Sequence, residues 1–467
     1  MGKLTQAIII AAILFFTVFK LLQEGEIVQS LLSTENIISN VPTKKKQDAP
    51  VTPWHHRPNQ EGMAACLVVK DENHRLIEWI AYHYHVLPLR YLVVAVLPRS
   101  RTSPLEILSR WNSPELGLQI VVWTNDEFLP PNHFSEKKFK DNANVKEVSR
   151  ALLLQHRARQ PLFYRECFKH LVAQNRSWTL VTDVDEYISY NNVPPEEIQD
   201  IQAGTYSHAK ARLKRDLTPA EKEMSNARTR LPDVTNGTLM EYIEQEQHHL
   251  PWNKSACVTF MRLRFGNKDS LPSKVSSATP HLSTSGSSKI DPMQFDTIRY
   301  RYHAKRGDIG LNKLGKNIID VSRLPEDLLN KVPSTPHNVY RGYCDESFSS
   351  EAWESQPIVA NHYISSFESH YFLYDSGVDK RAEATDIEEY NDDIVRPWLD
   401  DFVDVHGEEK ASELLKDCCD PFEAAGPIKD VNGSDPLENA RLREAKGKNL
   451  TEEEASWLRL VRGIRTG

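Results

Sequence analysis

A basic excess is missing from this chain. Lys and Arg number 57 against 65 Asp and Glu, a formal net charge of −8, which speaks against nucleic acid as the main partner. Zinc-type spacing is missing too. None of the six cysteines stands in a C-x-x-C pair or at a Cys/His ligand interval, so no structural zinc is expected. After residue 22 no apolar run reaches membrane-spanning length, which excludes a polytopic membrane protein. Hydrophobic residues make up 40% and charged residues 26% of the chain, which excludes disordered and collagen-like classes. At 467 residues there is room for two or three domains, or for one large domain with appendages.

The N-terminus departs from that ordinary composition. Ala7 to Phe19 is apolar apart from Thr17, with Lys3 before it and Lys20 after. No small-x-small cleavage site follows, and the span from Leu4 to Leu22 approaches the ~20 residues that cross a hydrocarbon core. The expectation is an uncleaved signal anchor over residues 1–22, with the N-terminus inside. Residues 23–60 then read as a stem, ending in a Pro- and Lys-containing stretch. This places the remainder in the lumen of the Golgi or endoplasmic reticulum, on a single-pass type II protein. Six cysteines in an oxidising space imply disulfides, although their pairing is open and Cys66 reads equally as a buried thiol or a bridge. The five N-x-S/T sequons at Asn175, Asn236, Asn253, Asn432 and Asn449 fit the same setting.

From about residue 61 to 190, strand-like runs alternate with helical patterns, the mark of an α/β class with a parallel sheet. Met63 to Val69, Tyr91 to Leu97, Leu118 to Trp123 and Trp178 to Thr182 are four expected strands. Leu76, Ile77, Ile80 and Tyr84 mark the face of an intervening helix that Asn73 is placed to cap. A short helix is expected over Leu105 to Trp111, and another starting at Pro161. Right-handed crossovers of this kind leave ligands at the carboxyl ends of the strands. Asp183-Val184-Asp185-Glu186 follows the fourth strand directly. Two carboxylates two residues apart at a strand end suit a hard divalent cation with positions open to phosphate oxygens.

Several of these segments together resemble one family. Cys66 to Glu72, followed by Leu76-Ile-Glu78-Trp79, is similar to the opening strand, Lys-Asn-Glu and Glu-Trp helix of the GT-A glycosyltransferases grouped as family 92. Asp183 to Ile188 resembles their D-x-D element. Gly315-Lys316 to Val321, followed by His337, resembles their later lysine strand and histidine, and His362-Tyr363 a further His-Tyr. The likeness covers about residues 62–375, with Asp71 where Asn is usual and residues 194–250 resembling an insertion.

The resemblance implies a GT-A-like, Rossmann-type mixed sheet flanked by helices, occupying residues 61–420, and a hexosyltransferase that inverts configuration. It implies a nucleotide-sugar donor, a UDP-sugar favoured, a glycan or glycoprotein acceptor, and a divalent metal, Mn²⁺ in first place. The implied metal set is Asp183, Asp185 and His337. Asp185 is the direct ligand, since the second acid reaches further into the crevice, while Asp183 is expected at the ribose or a metal-bound water. Lys70, Asp71, Asp183 and Lys316 are the expected donor-binding residues. Inversion requires a carboxylate base for the acceptor hydroxyl, and Asp269 is preferred over Asp296 and Asp308.

The remaining segments carry weaker signals. Phe295 to His303 alternates strictly and predicts a strand with one packed and one basic face. Residues 270–290, rich in Ser, Thr and Pro, read as a mobile loop beside the site, and residues 421–467 as a tail. A haloacid-dehalogenase-type phosphatase also places D-x-D after a strand, but that motif opens its domain, whereas here three strands precede it. The alternative from another class is a non-catalytic luminal carbohydrate-binding protein derived from a glycosyltransferase.

Overall fold

A computed structural model describes residues 62–97, 100, 102–130, 145–192, 226–246, 255–266, 290–304, 314–348, 356–364, 389–390 and 397–419, with isolated positions at 219, 223, 444, 447 and 449–450. The expected anchor, the stem, nearly all of the 270–290 loop, and Asp269 and Asp308 lie outside the described residues, as do most of the 194–250 segment and of the tail. Among the described residues no helix is long and apolar enough to cross a membrane.

The fold is mixed α/β, with a mixed parallel and antiparallel sheet flanked by helices. Strands β1 (Met63–Val69), β2 (Leu89–Val96), β3 (Gln119–Trp123) and β4 (Trp178–Val181) form the expected parallel run. They are joined by β6 (Cys257–Phe260), β9 (Lys316–Asp320) and β10 (Asp345–Phe348), giving the order β10-β6-β9-β4-β1-β2-β3. β9 is antiparallel to both of its neighbours, β4 and β6. Alternate residues feed two cores. Leu67, Val94, Val122 and Leu180 meet the first helix, α1 (Asn73–Val86), on one face, and Cys66, Val93 and Val121 meet Phe163, Cys167 and Phe168 of the helix Val145–Ala173 on the other. With both faces covered, the strands read as continuous apolar runs.

A second, five-stranded sheet has the order β12-β8-β7-β11-β5, from β5 (Glu186–Tyr190), β7 (Arg262–Phe265), β8 (Tyr302–His303), β11 (Ile358–Tyr363) and β12 (Glu389–Tyr390). The chain passes from the first sheet to the second twice, through Asp183–Asp185 between β4 and β5 and through Met261 between β6 and β7.

Three expectations are corrected. The helix expected to start at Pro161 begins at Val145 and runs through the proline. Pro161 lacks the N–H that would reach the Arg157 carbonyl, a local cost of about 3 kcal/mol that packing of Phe163, Phe168 and Leu171 into the core offsets. Asn73 does not cap α1 but donates from Nδ2 to the Ser103 carbonyl at 2.9 Å. The alternating segment Phe295 to His303 is a helical turn, Asp296–Arg299, before a two-residue strand. The cause is tertiary: the buried Glu78 carboxyl group, pushed up to about 8 by burial and by Asp296, accepts the N–H groups of Asp296 and Thr297, each at 2.9 Å, supplying a cap that strand periodicity does not reveal. Its basic face is not solvated either, because Arg301 and His303 are buried.

The cysteines form Cys66–Cys167, Cys257–Cys344 and Cys418–Cys419. Cys66 is therefore a bridge, tying β1 to the helix that covers it.

Candidate metal and anion site

Site construction begins at the turn Asp183-Val184-Asp185, closed by the Glu186 N–H donating to the Asp183 carbonyl at 3.1 Å. Glu186 returns the contact, its Oε2 accepting the Asp183 N–H at 2.8 Å. Lys316 enters from the start of β9. Gly315 before it is required by close approach, since a Cβ there would stand 2.6 Å from the Phe260 carbonyl oxygen. The Lys316 ammonium, fully buried, donates to Asp183 Oδ2 at 2.6 Å and lies 2.7 Å from Glu186 Oε2.

Asp185 turns the other way. Its Oδ2 accepts from Arg75 Nη1 at 3.2 Å and lies 3.3 Å from His362 Nε2 on β11. Its other oxygen makes no hydrogen bond among the described residues. In β11, His362 stands opposite Glu186 of β5, placing the imidazole and that carboxylate in one row across the sheet.

The charges respond to this packing. Burial alone would raise the Asp183 carboxyl, yet the Lys316 ammonium outweighs it and holds the group below the usual carboxylate range. Burial opposes ionisation at Asp185 too, but His362 and Arg75 prevail and hold it low. Glu186 ends above its ordinary value, because burial exceeds the pull of Lys316. Lys316 itself is raised, its two carboxylates overcoming its desolvation. His337 is pushed down to about 4 by burial and by Lys316. Its imidazole is therefore neutral at pH 7, with Nδ1 3.3 Å from the Gly315 carbonyl, an arrangement that leaves Nε2 as an acceptor.

Of the residues expected from sequence, the structure brings Asp183, Asp185, Lys316 and His337 together around the acidic turn. Lys70 is exposed at the carboxyl end of β1. Asp71 faces elsewhere: its Oδ1 accepts the N–H of Thr102 at 3.0 Å and its hydroxyl at 3.3 Å. Those bonds offset a left-handed backbone with φ of 56°, making Asp71 a clasp between the β1 and β2 ends. Glu72, Arg75 and Gln160 are further members of the site, Gln160 donating to Asp183 Oδ1 at 3.2 Å.

Donor atoms of Asp185, Glu186 and His362 lie within 4.8 Å of one another. Two carboxylate oxygens and an imidazole suit Mn²⁺ among divalent ions. His362 Nδ1 is buried without a hydrogen-bond partner among the described residues, so the ring's hydrogen bond there is the one from Nε2 toward Asp185. This triad differs from the expected set of Asp183, Asp185 and His337, with Asp185 common to both. No protein-family model matches the chain, and no curated protein does.

Proposed function

We propose that the chain is a metal-dependent glycosyltransferase of GT-A type, similar to family 92, moving a sugar from a nucleotide-sugar donor to a glycan or glycoprotein acceptor. The observation that carries this reading is the meeting of Asp185, Glu186 and His362 past the carboxyl end of β4, where the chain passes from one sheet to the other. The strand order 3-2-1-4 supports it, since in sheets of that order ligands bind where the connections part. A UDP-sugar is the favoured donor.

Mn²⁺, when bound, supplies the charge that stabilises the departing diphosphate. Asp185, Glu186 and His362 would hold it. Lys316 works from beneath, keeping Asp183 ionised and fixing the turn, and being fully buried it is an internal counter-ion before it is a phosphate ligand. Lys70, exposed at the end of β1, is placed for a donor phosphate. Asp269 remains the proposed base for the acceptor hydroxyl. Asp296 does not suit that role, because it is buried with Oδ2 3.5 Å from Arg75 Nε. The type II, luminal placement is part of the proposal, and the three disulfides fit an oxidising compartment.

The test is release of nucleotide from a panel of UDP- and GDP-sugars by the full-length chain, with Mn²⁺ or with chelator. Asp185→Asn is expected to lower the rate of the folded protein by on the order of 10²–10³. Full activity and unchanged metal dependence in that variant would remove the reading. Sugar binding without any turnover would favour a non-catalytic carbohydrate-binding protein instead.

A further inference from the structure

We propose that Arg75 is the positioning residue of this site, a buried fork that sets Asp185 and the strand carrying His362 at the separation a shared divalent cation needs. The inference rests on the metal reading above. Arg75 lies in the first turn of α1 and is 4% exposed. Its Nη1 donates to Asp185 Oδ2 at 3.2 Å, and its Nη2 donates to the carbonyl of Tyr363, next after His362, at 3.1 Å. The Tyr363 N–H donates in turn to the Asp185 carbonyl at 2.9 Å. The acidic turn and the end of β11 are thus joined both directly and through one guanidinium. Asp296 Oδ2 lies 3.5 Å from Nε and Glu72 Oε2 3.9 Å from Nη1, ion pairs without a hydrogen bond.

Charge alone does not account for this residue. A cation beside a metal site opposes the metal, and Lys316 already neutralises the Asp183 and Glu186 side of the turn. What Arg75 adds is geometry. A planar guanidinium reaches a carboxylate and a backbone carbonyl at once in fixed directions, whereas an ammonium is a point charge on a flexible stem. Losing such an outer partner typically weakens metal binding about 10–100-fold.

The experiment titrates Mn²⁺ alone, with no donor present, into the full-length wild-type chain and Arg75→Lys, following heat of binding and the electron paramagnetic resonance of bound Mn²⁺. Arg75→Lys, which keeps the charge and loses the fork, is expected to bind about 10–100-fold more weakly. Wild-type affinity in Arg75→Lys overturns the inference. So does a fall in thermal stability with unaltered Mn²⁺ affinity in the folded fraction, the signature of a merely structural role. Should Arg75→Lys not fold, Arg75→Gln removes both the fork and the cation that opposes the metal. A loss of Mn²⁺ affinity there supports the inference, since removal of the charge alone would raise affinity, and a gain or no change overturns it. A wild-type chain that binds no Mn²⁺ defeats the metal reading itself, a result distinct from all of these.

Discussion

The seven-stranded and five-stranded sheets are held together by different means. In the first, β1 pairs with β2 along its whole length, from Met63 to Val69, the strands are apolar, and helices cover both faces. Burial of hydrocarbon is its main source of stability. In the second, β5 meets β11 across a long sequence separation, Tyr187 opposite Asn361, and its strands carry Glu186, Arg262, Arg264 and His362. Polar hooks from α1 fasten it: Trp79 Nε1 donates to the Glu186 carbonyl at 3.2 Å, Tyr82 to the Ile188 carbonyl at 2.7 Å, and Arg75 to Tyr363. The candidate site falls on the seam because charged groups there find partners from both sheets while Asp183 and Asp185 keep part of their side chains exposed.

Three experiments probe that contrast. The largest stability effect is expected at Lys316, the cation that the first sheet sends into the acidic turn. Lys316→Met leaves the buried Glu186 carboxylate without its counter-ion, and breaking a buried pair from one side costs roughly 3–5 kcal/mol. Asp183, whose side chain is 38% exposed, adds little to that figure. Denaturant unfolding measures the loss, and Lys316→Met combined with Glu186→Gln is expected to recover much of it. An unchanged midpoint for the single variant would mean that the seam does not depend on this pair.

A smaller, graded effect comes from pH. Burial pushes His83 down to about 3, with Nδ1 2.9 Å from the Trp79 carbonyl and Nε2 accepting the Ile188 N–H at 3.4 Å. The unfolded chain takes up a proton at about 6.5 and the folded one does not, so stability is whole above that value and falls as pH drops toward 3. Linkage gives a loss of about 2 kcal/mol between pH 7.5 and 5. Thermal midpoints across that range check it, and a flatter profile is expected for His83→Asn. Asp183 and Asp185, held low, lose their contribution only below the ordinary carboxylate range, so the two effects separate on the pH axis.

Smallest is Tyr82→Phe, which removes the hydroxyl bonded to Ile188 and keeps the ring. A net hydrogen bond of this kind contributes about 1 kcal/mol, and the orphaned carbonyl adds to the cost. If the second sheet hangs on such hooks, the loss appears as faster amide exchange in β5 with β1 and β2 unaffected. Uniform exchange across both sheets would argue that they melt as one.

Legibility follows the same division. The strands of the first sheet are readable because local apolar runs of strand length, separated by helical periodicity, need no knowledge of distant residues. Asp183 and Asp185 are readable as site members because acids at the carboxyl end of an apolar strand lie where such a sheet takes its ligands, whereas Lys316 and His337 are reached through the family resemblance. Arg75 is not, since an arginine in the first turn of an amphipathic helix looks like any solvated charge. Asp71 reads as a donor contact in sequence, yet its partner, the Thr102 backbone, lies across a crossover whose path the sequence does not measure. The segment Phe295 to His303 misleads outright, its alternation mimicking a strand while the Glu78 carboxyl group caps a helical turn.

By itself, then, the sequence determined the layered α/β order, the apolar composition of its two cores and the acidic turn after the fourth strand, because those depend on periodicity and on neighbours along the chain. The tertiary structure alone decided which cation each carboxylate meets, Lys316 for Asp183 and Glu186 and Arg75 for Asp185. It alone decided the pairing of the cysteines and the joining of His362 to the turn. Such choices are made by groups far apart in sequence whose charges become strong only once water is removed, and the fold sets that condition.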